Sequence, residues 1–424
     1  MFKKILPYIV CFSAALFFAY ELIQLHMMSA IAPLLMQDLN LSATSFGYIS
    51  ATYLLADVLF LLPAGIILDR LQVRKVILSA LFICVLGTLG FASATNFVTA
   101  AFCHFLSGIG NAFCFLSCMM LVTRWFEEKQ QARIMGLIIT IGMLGAMIAQ
   151  SPFSLLAESV GWRQALYIDA LVGFVLFIVL YITVRENNVE KARAASSHPP
   201  LLPSLKAAIT NPVTLRAGLY TSFLNMPLMV ISAVFASLFL TQIHKLSLTQ
   251  SSFIASMIAF GTIFGSPLYG ALSDFFQKRR QLMILGSILS SITMFLILFA
   301  PTSPAYLGLL FFFLGLCTSS QVLGYPTITE NSPKNLQGTS MGIAAVIIMG
   351  LPMFVQPLTG MLMDLFWIGE LTLTGNRLYP FQSFLAAFSL LPLFFLFAGF
   401  LVRNPFTKEL TAQSSEQKNF AKSW

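Results

Sequence analysis

Apolar runs alternate with short polar segments along the chain, and twelve runs are long enough to cross a bilayer. A spanning helix needs about 20 apolar residues. Runs of that order occupy residues 8–35, 45–68, 75–94, 97–123, 133–156, 163–184, 213–241, 249–272, 281–300, 304–328, 338–364 and 379–402. A transmembrane barrel would show short strands of alternating polarity instead. The pattern therefore predicts an all-α membrane protein with twelve transmembrane helices.

The composition agrees with a membrane protein. The chain has 424 residues, of which 58% are hydrophobic and only 9% charged, whereas a soluble domain is about 25% charged. The first run has two lysines before it and an Ala-x-Ala site at residues 30–32, which resembles a signal peptide. That run is too long for one, however, and Glu21, Gln24 and His26 interrupt it. A first transmembrane helix is the better interpretation.

The basic residues indicate how the helices are oriented. If both termini are cytoplasmic, only Arg163, Lys245 and Arg377 of the 24 Lys and Arg residues fall on the outer side, which leaves 21 on the inner side. Cytoplasmic loops are enriched in Lys and Arg. The distribution predicts a multi-pass membrane protein with both termini in the cytoplasm. It also accounts for the net charge of +8 without a nucleic-acid partner.

A polar stretch containing RENNVEKARAASSHPP divides the chain into two halves. The sequence therefore predicts a first six-helix bundle over residues 1–186, a cytoplasmic linker over 187–212, a second bundle over 213–403 and a tail over 404–424. An internal repeat supports the division, because two markers recur at almost the same distance. These pairs are Gly65-x-x-x-Asp69 with Gly270-x-x-x-Asp274, 205 residues apart, and Met135-Gly136 with Met341-Gly342, 206 apart.

The segment GIILDRLQVRK (residues 65–75) resembles the loop between helices two and three of the major facilitator superfamily. Its weaker copy at residues 270–280 and the GWR at 161–163 are similar to that family too. Gln72 and Val73 stand where a glycine and a basic residue are usual, and His104 stands where helix four normally carries an arginine. The resemblance implies a transporter with the major facilitator fold.

Three stretches resemble more narrowly the phagosomal transporter branch of intracellular bacteria, whose members take up amino acids or nucleosides. They are SATYLLADVLFLLPAGIILDR (50–70), WIGELTLTGNRLY (367–379) and LPLFF (391–395). The Gly-Pro arrangement typical of helix five in drug/proton antiporters is absent from residues 142–152. Both observations favour import over drug efflux. The resemblance to a bacterial branch also implies a location in the bacterial inner membrane.

The charged loop after helix two is a candidate gate. A carboxylate at Asp69 can cap a neighbouring helix and pair with a basic residue of another, so that the contacts close the cytoplasmic side in one state only. The candidate gate residues are Gly65, Asp69, Arg70, Arg74, Gly270 and Asp274. Arg74 and Lys75 can equally be mainly orientation charges, whereas acidic residues contribute little to orientation.

The resemblance implies that helices 1, 4, 7 and 10 line a central cavity. Ionisable groups inside a membrane are costly and usually face a cavity or one another. Glu21 lies near the midplane, and Gln24 shares its helix face at i+3. Together they are predicted to bind a substrate or, for Glu21, a proton. The alternative for Glu21 is a structural hydrogen bond to a neighbouring helix.

Two further residues are predicted to take part in proton or substrate binding. His104 is assigned a proton or substrate role because histidine titrates near neutrality. Asp57 is assigned proton coupling or an interhelix bond. His26 has an outer-end polar contact as an equally good interpretation, and Asp169 on helix six is interpreted as structural.

Helices seven and ten each combine polar residues with a proline. Pro227 loosens its helix because it cannot donate a backbone hydrogen bond, and Asn225 beside it can bind substrate. Gln321 and Tyr325 stand in a similar arrangement before Pro326. Interrupted helices are frequent at transporter sites. These three polar residues complete the predicted substrate site.

No enzymatic constellation is present in the sequence. There is no phosphate loop, GIGNAF (108–113) lies inside an apolar helix, and no cofactor or metal site is expected. The six cysteines fall in apolar runs without metal-ligand spacing and are interpreted as free thiols. The sequence predicts a monomeric secondary importer that uses protons to move a small polar solute, with amino acids favoured and nucleosides next. An exporter of drugs or metabolites, including siderophore-like compounds, and a non-transporting membrane sensor are the alternatives.

Overall fold

The chain folds into long helices, and their number confirms the sequence prediction. The computed structural model describes residues 2–184, 209–333, 336–372, 375 and 377–404, so most of the predicted linker and tail lies outside it. Within the described residues, twelve helices are long and apolar enough to cross a membrane. The six that precede the linker are called the first bundle here, and the six that follow it are called the second bundle.

The helices of the first bundle are α1 (Phe2–Asp38), α2 (Ala43–Arg70), α3 (Val73–Ala92), α4 (Phe97–Trp125), α5 (Glu128–Ile148, continuing as Ser151–Val160) and α6 (Trp162–Thr183). Those of the second are α7 (Pro212–Gln242), α8 (Leu248–Phe276), α9 (Arg279–Leu298), α10 (Pro304–Glu330), α11 (Gln337–Leu365) and α12 (Phe381–Leu401).

An even number of spans places both described ends of the chain, Phe2 and Asn404, on the same side of the molecule. This side is called the basic face here. The other side, which holds Arg163, Lys245 and Arg377, is called the opposite face.

The two halves repeat their turn geometry at the opposite face. Asn40 and Lys245 both have positive φ, 49° and 55°, which is uncommon for residues other than glycine. Two residues later, Ser42 caps the start of α2 and Ser247 caps the start of α8, each accepting a backbone N–H three residues further on. Both pairs are 205 residues apart, so the repeat extends from the sequence to the backbone.

Close helix packing inside each bundle depends on glycine. A Cβ added to Gly108 of α4 would collide with the carbonyl oxygen of Tyr53 in α2. In the second bundle, a Cβ on Gly315 of α10 would collide with the carbonyl oxygen of Ile258 in α8. Small residues let membrane helices approach closely, and here the same helix pair does so in both halves.

Two helices of the second bundle are irregular. From Pro227 to Phe235, α7 is a π-helix, in agreement with the predicted loosening at Pro227. In α10 the irregular turn is a 3₁₀ segment at Ser319–Leu323, before the proline singled out in the sequence. Pro326 lacks the N–H that would bond to the carbonyl four residues earlier, so the turn that tightens is the preceding one.

The two bundles contact each other at the opposite face. A Cβ on Gly47 of α2 would lie 2.7 Å from the carbonyl oxygen of Gln356 in α11, so the two helices touch there. Near the basic face the surroundings of several glycines are empty. Apart from the backbone of the glycine's own helix, no described atom lies within 4 Å of a Cβ built on Gly65, Gly136, Gly270 or Gly338. The bundles are therefore joined at the opposite face, and α2 and α11 still touch closer to the basic face, where a Cβ on Gly342 would lie 3.8 Å from Leu62.

Candidate functional site

The Glu21 carboxyl is enclosed within the first bundle. Glu21 is fully buried, and the Tyr53 hydroxyl of α2 donates to its Oε2 at 2.9 Å. Oε1 lies against Gly110 of α4, where a Cβ would collide with it, and beside the Cys84 thiol of α3. Oε1 accepts from no N–H or O–H group of the described residues. The four helices α1 to α4 thus surround an acid that has no cationic partner among the ion pairs of the described chain.

Gln24 takes part in a second buried network. Its Nε2 donates to Asp169 Oδ2 of α6 at 2.5 Å, and its Oε1 accepts from the Thr88 hydroxyl of α3 at 3.0 Å. The Tyr20 hydroxyl donates to the Asp169 carbonyl oxygen at 3.3 Å. The Gln24 side chain therefore binds α3 and α6, whereas the Glu21 carboxyl binds Tyr53 of α2. Asp169, interpreted from the sequence as structural, is the residue that holds it.

Asp57 adds a third buried carboxyl to the first bundle. It is 2% exposed, and the Asn111 side chain of α4 lies beside it. Three carboxyls thus share one apolar interior, and none of the buried polar residues described is a Lys or Arg.

Tyr53 connects His104 to Glu21. The His104 ring lies between the rings of Tyr53 and Phe91, with centroids 5.2 Å and 5.1 Å away, and it is 1% exposed. Its Nδ1 has no hydrogen-bond partner among the described residues. The structure therefore brings Glu21 and His104 together through a tyrosine that the sequence interpretation missed. Tyr53 precedes Asp57 by one helical turn, which was the available signal.

His26 lies elsewhere on α1 and does not contact Glu21 through any hydrogen bond described. Its Nδ1 is 3.0 Å from the Leu22 carbonyl oxygen of its own helix. Its Nε2 is buried and lacks a partner within the described part of the chain.

The candidates of the second bundle form a separate group on α7 and α10. Asn225 is 5% exposed and lies just before the π-helix. The Gln321 carbonyl oxygen accepts from the Thr221 hydroxyl of α7 at 3.2 Å, which joins the 3₁₀ turn to α7. Tyr325 keeps 36% of its surface accessible.

No contact joins the candidate gate residues of the two bundles within the described part of the chain. Gly65 and Gly270 face open space, and the side chains of Asp69 and Arg70 lie outside the described residues. Arg74 donates to the Tyr181 carbonyl oxygen at 2.6 Å and lies over the Tyr181 ring, so its contacts stay within the first bundle.

Asp274 is exposed near the end of α8. The ion pair described at the basic face is a different one. Arg279 donates two hydrogen bonds to Glu330, at 2.7 and 3.0 Å, inside the second bundle.

Asp364 joins the two bundles at the opposite face. Its carboxylate accepts from the Thr44 backbone N–H at 2.9 Å, the Thr44 hydroxyl at 2.5 Å and the Ala43 N–H at 3.3 Å. An acid of the second bundle thus caps the N-terminus of α2 in the first. This group of residues, Asp364 with Ala43 and Thr44, is called the α2 latch.

Two residues of the loop before α12 support the α2 latch. Arg377 and the Tyr379 hydroxyl donate to Asp364 Oδ1 at 3.2 and 2.6 Å, and Tyr379 also accepts from the Ala43 N–H at 2.8 Å. Burial and the neighbouring carboxylate raise the pKa of Tyr379, so its hydroxyl keeps the proton that it donates. Sequence reasoning missed this arrangement although the stretch containing both residues had been singled out.

The described residues contain no group of three or more His, Cys, Asp or Glu side chains that could hold a metal ion. The six cysteines are free.

Known proteins with sequences similar to this chain are membrane transporters. The family model of the Major Facilitator Superfamily matches residues 9–236 and again residues 221–424. The chain is similar to the probable galactarate/D-glucarate transporter GudP of Bacillus subtilis (strain 168), with 23% identity over 344 residues. These residues cover 72% of this chain and 74% of the relative.

Solved structures of the same fold cover nearly the whole chain. One is a bacterial homologue of the human lysosomal transporter Spinster in an inward-facing and unoccupied conformation. Its TM-score is 0.77 at 16% identity, covering 94% of this chain and 96% of that one. Another is a point mutant of the nucleoside transporter NupG, with a TM-score of 0.74 at 14% identity, covering 94% and 100%.

Proposed function

Because the chain belongs to the Major Facilitator Superfamily, we propose that it is a secondary transporter that imports a small polar nutrient together with protons. The observation that carries the proposal is the buried Glu21 carboxyl, which has no cationic partner in the described interior. A charge in such a place is costly, so the carboxyl favours its protonated form while it is enclosed. If alternating access exposes it to each side in turn, it carries a proton across.

The proposed orientation places the basic face in the cytoplasm, because Lys and Arg are enriched on that side. The state described above, in which Asp364 joins the bundles at the opposite face, is then closed to the outside, and we propose that it gives access to the cytoplasm. In the reverse state, the loop after α2 with Gly65, Asp69 and Arg70 closes the basic face, and Gly270 and Asp274 form the corresponding element of the second bundle.

The proposed substrate is a solute without net negative charge, either a zwitterionic amino acid or a nucleoside. The GudP relative is named for sugar diacids, but no Lys or Arg is among the buried polar residues described here. Asn225, Gln321 and Tyr325 offer amide and hydroxyl groups on the cavity helices α7 and α10. Such groups suit a small polar solute. A nucleoside needs no counter-charge, whereas the carboxylate of an amino acid would need a donor such as Asn225.

The proposal is tested by uptake into proteoliposomes with an imposed pH gradient, using a panel of radiolabelled amino acids and nucleosides. For a solute that the wild type accumulates, Glu21→Gln should abolish accumulation driven by the pH gradient but retain exchange of substrate between the two sides. Loss of exchange as well would mean that Glu21 binds the substrate itself. Accumulation at the wild-type level would rule out both roles.

Glu127→Gln is the matched control, because Glu127 is exposed at the basic face and the same chemical change there should leave uptake intact. The alternatives are an exporter and a sensor that does not transport. Efflux of dyes from cells without inward accumulation of any panel member would favour the exporter. Binding of a panel member without transport would favour the sensor.

A further inference from the structure

Two glutamines on different helices hold the π-helical segment of α7. Gln150, at the break within α5, donates from Nε2 to the Ser232 carbonyl oxygen at 2.9 Å. Gln356 of α11 donates from Nε2 to the Met229 carbonyl oxygen at 2.8 Å. Both acceptors lie within Pro227–Phe235, and both glutamines are at most 1% exposed. Two buried amides therefore reach the backbone of the same segment.

Gln150 and Gln356 correspond in the internal repeat. They are 206 residues apart, the same distance that separates Met135 from Met341, and each shortly precedes a proline. Their surroundings differ, however. Gln356 binds α7 within the second bundle, whereas Gln150 belongs to the first bundle and reaches across to the second. Gln150 also donates to the His26 carbonyl oxygen of its own bundle at 3.1 Å.

A second side chain of the first bundle binds α7 five residues further on. Ser29 of α1 donates to the Ser237 hydroxyl at 3.0 Å and accepts from the Ser237 backbone N–H at 3.2 Å. A π-type hydrogen bond joins a carbonyl to the N–H five residues later, and this is the spacing between Ser232 and Ser237. The first bundle thus engages the carbonyl and the N–H that one such bond would connect.

We propose that Gln150, assisted by Ser29, is a positioning residue that holds the opposite face closed by engaging the Ser232 carbonyl and the Ser237 N–H of α7. The proposal rests on the alternating-access function proposed above. When the bundles separate at this face, both groups lose their partners in the first bundle. They can then bond to each other, so that neither backbone group is left unpaired inside the membrane. Gln356, its counterpart in the repeat, stays with α7 and keeps the segment in shape.

The test measures opening of the opposite face without measuring transport. Ala32 of α1 is fully buried and lies three residues after Ser29, on the helix face that contacts α7, so Ala32→Cys reports the open state through its rate of reaction with a maleimide. The protein is purified in detergent, and the chain with its six native cysteines gives the background. Gln150→Met keeps the side-chain volume and removes the amide. It should speed labelling roughly three- to tenfold, as expected for the loss of about one buried hydrogen bond.

Gln356→Met is the matched control, because it removes the corresponding amide within one bundle. It should lower the thermal unfolding midpoint without speeding the labelling. Equal acceleration by both variants would overturn the proposal, since the two amides would then merely stabilise the π-helix. So would labelling of Gln150→Met at the wild-type rate.

If Gln150→Met fails to fold, Ser29→Ala tests the second contact, the one between Ser29 and the Ser237 N–H. This variant should also be labelled faster than the wild type, and an unchanged labelling rate would contradict the proposal. Because no solute is used, failure of the import proposal would leave these outcomes unaffected.

Discussion

At the scale of single residues, Gly110 decides whether the Glu21 carboxyl can occupy its place. Replacing a helical glycine with alanine ordinarily stabilises a helix by about 1 kcal/mol. In Gly110→Ala the new Cβ would collide with Glu21 Oε1, and overpacking of this kind costs about 1–3 kcal/mol. We therefore expect a lower thermal unfolding midpoint and the loss of uptake driven by a pH gradient.

Gly136→Ala provides the comparison, because a Cβ at Gly136 of α5 meets no described atom within 4 Å. That variant should be at least as stable as the wild type. If Gly110→Ala unfolds at the same temperature as Gly136→Ala and retains driven uptake, the carboxyl is not confined as described.

Sequence reasoning identified the buried polar residues of the first bundle but not their partners. The rarity of charges in apolar runs singled out Glu21 and Asp57, and both are buried. The i+3 spacing suggested that Gln24 would act with Glu21, yet its long side chain turns to Asp169. Which helices pack together decides such pairings. Tyr53 was missed because a tyrosine in an apolar run is ordinarily a packing residue.

At the scale of helices, the α2 latch links the start of α2 to the end of α11. Asp364→Asn keeps the shape of the side chain but removes the charge that caps α2 and pairs with Arg377. Loss of charge-assisted hydrogen bonds of this type is expected to cost about 1–2 kcal/mol. Because the bonds exist only while this face is closed, the variant should open it more often. Maleimide labelling of Ala32→Cys should then accelerate about tenfold.

Asp38→Asn is a suitable control for the latch. Asp38 is an acid of the same face, but its partner Arg163 belongs to the same bundle. Its removal should leave the labelling rate unchanged. Equal rates for the Asp364 and Asp38 variants would show that the latch does not control opening.

The helices themselves were predictable because their length is set by the thickness of the bilayer. The apolar runs located all twelve, and Pro227 marked the irregular part of α7. The position of the 3₁₀ turn in α10 was harder to predict, because a proline disturbs the turn that precedes it. The α2 latch could not be derived, since it joins residues 320 positions apart across an interface that depends on the conformational state.

At the scale of the whole molecule, the charges divide into a basic exterior and an acidic interior. The chain carries a net charge of +8, yet the buried ionisable residues of the first bundle include the carboxyls Glu21, Asp57 and Asp169 and no Lys or Arg among those described. The exterior charges agree with the proposed orientation in the membrane. The interior charges influence which solutes can enter, because a buried anion without a cation nearby is unfavourable.

This division leads to a prediction that separates the chain from its sugar-acid relatives. D-glucarate, with two carboxylates at neutral pH, would meet no buried Lys or Arg in the described interior and is expected not to bind. Purified protein should therefore unfold at the same temperature with and without D-glucarate. An amino acid or nucleoside that is a substrate, present at about ten times its Kd, should add about 1.4 kcal/mol of stability and raise the midpoint. The measurement is a thermal-unfolding series with D-glucarate, single amino acids and single nucleosides at equal concentrations. Stabilisation by D-glucarate alone would mean that the chain shares the substrate class of GudP and binds the dianion by backbone N–H groups or hydroxyls instead of by charge.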